Sequence, residues 1–93
     1  MENIIVRGKQ YTMTRAAFVT KMPDKLFLDI GYLGIYQVNS LFEAQEKFCS
    51  IRDESGFGPL GYEVGLIYKD DEEYPFACVT YYGIISRIVN TVF

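Results

Sequence analysis

Histidine and tryptophan are absent from this 93-residue chain, and cysteine occurs only twice. Without an imidazole, serine and cysteine triads that use one as their base are excluded, as are histidine-containing zinc sites. Two thiols cannot complete an all-thiolate tetrahedral zinc site within one chain. No side chain titrates near neutrality unless it is perturbed, which argues against an endosomal-type pH switch. Basic clusters are missing too: nine basic residues are scattered against twelve acidic ones, for a net charge of −3. Phosphate neutralisation needs a clustered cationic face, so no direct contact with nucleic acid is expected. A charge of −3 is equally too small for an acidic mimic of nucleic acid. The apolar runs are a few residues long, against the roughly 20 that a membrane helix needs. Met1-Glu2-Asn3 is neither basic nor followed by a long apolar stretch, so the expectation is no leader, no membrane and a cytoplasmic location. Proline-rich, glycine/serine-rich and repeated segments are also lacking, and residues 1–93 are expected to form one compact domain.

What is present is a β-rich first part, one helix and a β-rich last part. Asn3 to Arg7 contains Ile4-Ile5-Val6 and reads as a strand closed by a turn at Gly8-Lys9-Gln10. Tyr11 to Thr20 reads as a second strand, although Arg15-Ala16-Ala17-Phe18 would suit a helical turn, and Met22-Pro23-Asp24-Lys25 is a turn. Leu26, Leu28 and Ile30 alternate with Phe27 and Asp29, and Gly31-Tyr32-Leu33-Gly34 is a bend before Ile35-Tyr36-Gln37-Val38. Successive strands of this kind suggest an antiparallel meander.

The strongest local signal is Asn39-Ser40-Leu41-Phe42-Glu43. Ser40 can accept from the amide of residue 43 while Glu43 reaches back to the amide of Ser40, a capping box that starts a helix. Leu41, Ala44, Phe48 and Ile51 form its apolar stripe, flanked by Phe42 and Cys49, with Glu43, Glu46, Lys47 and Ser50 on the other face. Ser55-Gly56 supplies the stop. Beyond the following loop, Tyr62 to Tyr68 reads as a strand, Lys69 to Glu73 as a charged turn, and Tyr74 to Tyr82 as the returning strand. Pro75 there marks an edge or an entry position. Gly83 bends the chain before a last strand, Ile84 to Val92. The fold class is therefore α+β, an antiparallel sheet of about five to seven strands with a single amphipathic helix packed on one face.

Catalytic signatures are few. Gly56-Phe57-Gly58-Pro59-Leu60-Gly61 matches a dinucleotide motif by letters alone, since it follows a helix and opens a strand, the reverse of the required order. The acids Asp53-Glu54 and Asp70-Asp71-Glu72-Glu73 fall in turns, without the burial that splits carboxylate pKa values or the spacing of a calcium loop. Cys49 and Cys78 sit among apolar neighbours and read as two reduced core thiols. No catalytic, metal or cofactor-binding residue is assigned. The conspicuous feature is eight tyrosines: Tyr11, Tyr32, Tyr36, Tyr62, Tyr68, Tyr74, Tyr81 and Tyr82. Tyrosine offers rigid contact area with a polar tip, which suits protein-binding surfaces as well as the packing of a small sheet. Adjacent tyrosines such as Tyr81 and Tyr82, if on a strand, point to opposite faces.

The stretch Arg52-Asp53-Glu54-Ser55-Gly56-Phe57-Gly58, followed by a strand and then Ala77-Cys78-Val79-Thr80-Tyr81-Tyr82-Gly83, resembles small uncharacterised bacterial and phage α+β proteins in which a helix ending in R-D-x-S-G-x-G precedes a β-hairpin. The resemblance covers about the second half of the chain. It implies a fold and a mobile-element setting, hence the cytoplasm of a bacterial host if phage-encoded, and assigns no residue a role.

The expected function is a non-enzymatic protein–protein interaction. Its specific form is a phage or mobile-element inhibitor of a bacterial defence system, anti-CRISPR-like, that occludes a partner such as a host nucleic-acid-binding effector. The expected contact residues are the acidic turn Asp70, Asp71, Glu72 and Glu73, which would steer toward a basic groove, with Tyr74, Tyr81 and Tyr82 as anchors. The alternative is a homo-oligomeric small-ligand-binding or regulatory module, a homodimer included, with tyrosines at the joint. A carboxylate- or tyrosine-based enzyme is the third reading.

Overall fold

The computed structural model describes residues 2–14, 25–55, 64–70 and 72–92, with the side chains of 90–92 excepted. Seven strands form one antiparallel sheet: β1 (Glu2–Val6), β2 (Lys9–Thr14), β3 (Leu26–Asp29), β4 (Ile35–Val38), β5 (Gly65–Lys69), β6 (Ala77–Val79) and β7 (Ile85–Val92). Their order is β1-β2-β7-β6-β5-β3-β4, and one helix, α1 (Leu41–Ser55), packs on the sheet. The α+β architecture expected from the sequence is the one observed.

The meander is not. β2 pairs with β1 and β7, whereas β3 pairs with β4 and β5. The chain therefore leaves one wing of the sheet after β2 and starts the other at β3. Local alternation identifies a strand but carries no record of its partner, so sequential pairing was the wrong default here. Because β4 and β5 both run antiparallel to the intervening β3, they are parallel to each other, and α1 is the crossover that joins them. Such a crossover must lie over the face of the strand it passes.

The boundaries moved for identifiable reasons. Val6 pairs directly with Lys9 across Arg7 and Gly8, both at positive φ (48° and 86°). This is a two-residue hairpin whose twist matches the strands, so Lys9 and Gln10 belong to β2 rather than to the turn. β2 is described only to Thr14, and the rest of the predicted second strand, most of the Met22–Lys25 turn, and Gly56–Gly61 lie outside the described residues. The strand expected over Tyr74–Tyr82 contracts to Ala77–Val79. Pro75 precedes it as an entry position, because β6 lies between β5 and β7 and is no edge. Ser40 Oγ accepts from the Glu43 amide at 3.0 Å as predicted, but the Glu43 carboxylate accepts from the Asn39 amide at 3.1 Å, one residue earlier than the capping box requires.

Both faces of the sheet are buried in its centre. On the helix side, Ala44, Phe48 and Ile51 of α1 pack with Leu26, Leu28, Val38, Ile67, Ala77 and Val79. Gly65 makes this close approach possible: a Cβ there would stand 2.6 Å from Val79 Cγ1, 2.7 Å from Leu28 Cδ1 and 3.0 Å from Phe48 Cδ1. On the other side, Val6, Tyr11, Val64, Leu66, Cys78 and Ile88 form a second cluster. The register between β2 and β7 shifts between Thr12 and Met13, where Val89 is the extra residue, and a bulge of this kind bends the strand and increases its twist. The sheet curls over the second cluster: the Arg7 guanidinium donates to the Val64 carbonyl (3.3 Å) and the Asp29 carbonyl (3.4 Å) and lies 3.6 Å from the Asp29 carboxylate. β1 and β3 are separated by four strands in the order, so this contact exists only because the wings approach each other.

Candidate protein interface

The predicted contact residues fall at two ends of a hairpin. Asp70, Glu72, Glu73 and Tyr74 lie in the connection from β5 to β6 and are exposed; Asp71 lies outside the described residues. Tyr81 and Tyr82 lie in the connection from β6 to β7. Three residues of β6 separate these connections, about 10 Å of extended chain. The acidic turn and the tyrosine pair therefore do not form one cluster. Nor do Tyr81 and Tyr82 point to opposite faces of a strand. They occupy a turn, and their rings meet edge to face with centroids 5.0 Å apart at 86°.

That second turn is built as a rigid unit. Gly83 adopts φ 78°, its amide donates to the Thr80 carbonyl at 2.8 Å, and the Thr80 amide donates to the Ile84 carbonyl at 3.1 Å. Three residues of α1 then secure it. The Gln45 side-chain amide donates to the Gly83 carbonyl, and the Arg52 guanidinium donates to the Tyr81 carbonyl at 2.7 Å. Arg52 also stacks over the Tyr81 ring, 5.6 Å from its centroid. Cys49 fills the space between them: a Cβ on Gly83 would stand 2.9 Å from its sulfur. Gln45, Cys49 and Arg52 recur at helical spacing along one flank. The expectation of two core thiols thus holds for Cys78, which is fully buried, and fails for Cys49, which is half-buried on this flank.

The same spacing places Phe42 beside Gln45 and Cys49, and Phe42 is 66% exposed. Tyr82, on the turn held by that flank, is 72% exposed, and Ile84 is 43% exposed. On the neighbouring outward face of α1, Glu43, Glu46, Asp53 and Glu54 are exposed with Lys47, and Asp53 is paired with Arg52. Arg52 is also directed to Tyr81, and its pKa is raised by the hydrogen bond from its Nε to the Asp53 carboxylate (3.1 Å). Acidic and aromatic character meet at the Asp70–Tyr74 turn, where Asp70, Glu72, Glu73 and Tyr74 are exposed, and again along the helix. Sequence reasoning had placed Glu43 and Glu46 on a solvated helix face. The missing step was the packing of Gln45, Cys49 and Arg52 on residues 29 or more positions away in the chain, which no local pattern contains.

The other tyrosines divide by role. Tyr11 is buried in the second cluster and Tyr68 packs against it; burial raises the pKa of both above the ordinary phenol value. The Tyr36 hydroxyl donates to the Leu33 carbonyl at 2.6 Å, so its ring serves packing. Tyr32 is exposed, and Tyr62 lies outside the described residues. Among the described residues no cluster of three or more acidic or thiol side chains is placed to hold a metal ion, and no helix is long and apolar enough to cross a membrane. No protein-family model, no curated protein and no solved structure matches this chain.

Proposed function

We propose that this chain is a protein-binding module that docks through Phe42, Tyr82 and Ile84, with the acidic outer face of α1 as the adjoining rim. The partner chemistry that fits is an apolar pocket bordered by basic side chains. The observation that carries the reading is Tyr82, a largely exposed aromatic on a turn fixed by Gln45 and Arg52. An anchor already ordered in the free protein loses little side-chain and loop entropy on binding, and buried aromatic anchors dominate interface energies. Asp53 is paired with Arg52, and the three other exposed carboxylates of α1, Glu43, Glu46 and Glu54, outnumber Lys47, which favours approach to a cationic surface over an anionic one. Occlusion of a basic nucleic-acid-binding groove, as an inhibitor of a host-defence effector would perform it, is the specific form of this reading.

The test is quantitative capture from nuclease-treated bacterial lysate with three proteins in parallel. The wild type is expected to retain a stoichiometric partner, and Tyr82→Ala to weaken that binding by at least about tenfold, or 1.4 kcal/mol. Reversal of Asp70, Asp71, Glu72 and Glu73 to lysine is expected to leave it within about threefold, since the acidic turn lies at the other end of β6. If the reversal abolishes binding and Tyr82→Ala does not, the interface belongs to the acidic turn. A wild-type eluate holding only copies of this chain, by light scattering, would replace the reading with self-association.

A further inference from the structure

Among the described residues the sheet ends at β4, which pairs with β3 and has no described partner strand on its other side. The Ile30 amide donates to the Gly34 carbonyl at 2.9 Å, and the register continues through Leu28 opposite Tyr36 and Leu26 opposite Val38. Bonded and non-bonded pairs alternate along an antiparallel ladder. The amide and carbonyl groups of Tyr36 and Val38 therefore face β3, and those of Ile35 and Gln37 face the open edge. Exposed edges are commonly blunted by lysine, proline or a bulge. Ile35-Tyr36-Gln37-Val38 has none of these and runs in unbroken register.

Beside this edge, between β4 and α1, lies an open groove of about 510 Å³ lined by Tyr36, Val38, Glu43, Glu46, Lys47 and Ser50 among others. Its two carboxylates outnumber its one ammonium, and that ammonium is held over the Tyr36 ring, 4.7 Å from the centroid. Glu43 is fixed by its bond from the Asn39 amide. On the opposite face of the same edge stands Ile35, 65% exposed.

We propose that the β4 edge receives an extended segment of a partner protein as an added strand, with basic side chains directed into the groove and apolar ones beside Ile35. Main-chain bonds to Ile35 and Gln37 supply the affinity of strand addition, and the alternation of side chains supplies its selectivity. The groove selects basic residues because Glu43 and Glu46 form its helix wall. Ile35 gives the other face of the added strand an apolar neighbour. This inference shares Glu43 and Glu46 with the Tyr82 reading, but it is tested at Ile35 and Gln37, which that reading does not use, so either can fail while the other stands.

The probe is the blocked hexapeptide acetyl-Lys-Ile-Lys-Val-Lys-Thr-amide, with a counterpart carrying Glu for each Lys, titrated into the isotope-labelled full chain. The lysine peptide is expected to shift the amides of residues 35–38 and to slow hydrogen exchange at Ile35 and Gln37 at least tenfold, with the glutamate peptide at least tenfold weaker. Gln37→Pro removes an outward amide that β3 does not use, and is expected to lose at least tenfold in peptide affinity with the remaining amide spectrum unchanged. Glu46→Lys is expected to reverse the preference between the two peptides. Equal binding by Gln37→Pro, shifts confined to other strands, or no binding would overturn the proposal. So would protection of Ile35 and Gln37 that rises with protein concentration in the absence of peptide, which would assign the edge to a second copy. Should Gln37→Pro not fold, the exchange measurement on the native chain decides alone.

Discussion

Truncating Phe48 to alanine is expected to lower the free energy of unfolding by about 3–5 kcal/mol. Phe48 is the largest of the fully buried side chains and sits at the centre of the helix–sheet contact, over the space that Gly65 leaves open. Its removal would leave a cavity walled by Val79 and Leu28, which are themselves fully buried and held in β6 and β3 on either side of β5, so little collapse can offset the loss. Domains of this size are stable by about 5–15 kcal/mol, and the change would consume a large share of that margin. Phe42 is the internal control. It lies on the same helix but is exposed, so Phe42→Ala is expected to alter stability by less than about 0.5 kcal/mol. Urea denaturation followed by far-UV circular dichroism measures both. A Phe48→Ala cost near that of Phe42→Ala would mean that α1 does not pack on the sheet through this stripe.

The pair also shows what the sequence made legible. Helical spacing is a local property and marks Leu41, Ala44, Phe48 and Ile51 as the apolar stripe; the last three are buried and Leu41 packs partly buried against them. The alternation of Leu26, Leu28 and Ile30 was equally readable, and all three are buried. Pairing was not readable. β3 is flanked by β4 and β5, and β2 by β1 and β7, and nothing in the hydrophobic pattern of a strand distinguishes these neighbours from others. The same limit governed the candidate interface. Tyr82 could be named from composition, but its setting beside α1 depends on Gln45 and Arg52 reaching a turn that is 38 and 29 residues distant from them. The sequence also suggested one surface that combines the acidic turn, for steering, with Tyr74, Tyr81 and Tyr82 as anchors. A hairpin places the two connections of its strand at opposite ends, and that geometry separates Asp70–Tyr74 from Tyr81–Tyr82.

Alkaline pH is expected to destabilise the fold, with Cys78 the clearest source. Its thiol, fully buried between β5 and β7 in the second cluster, is pushed from 9.0 up to about 11 by burial, partly offset by a hydrogen bond that the sulfur accepts from the Ser86 backbone. The folded chain thus holds this proton more tightly than the unfolded chain. Between pH 9 and 11 the unfolded state has lost the proton and the native state keeps it, so the unfolded state binds fewer protons and stability falls as pH rises. The contribution is fully present below pH 9 and is lost through pH 11. Two pKa units correspond to about 2–3 kcal/mol. Tyr11 and Tyr68, raised above 10.0 by burial in the same region, act in the same direction at higher pH. Urea midpoints at pH 7, 9 and 10.5 are expected to decline most steeply over the last interval. Cys78→Ala is expected to flatten that decline while leaving the tyrosine part of it, whatever its effect on stability at pH 7. Parallel pH curves for the two proteins would show that the thiol is not held in an apolar, water-poor site.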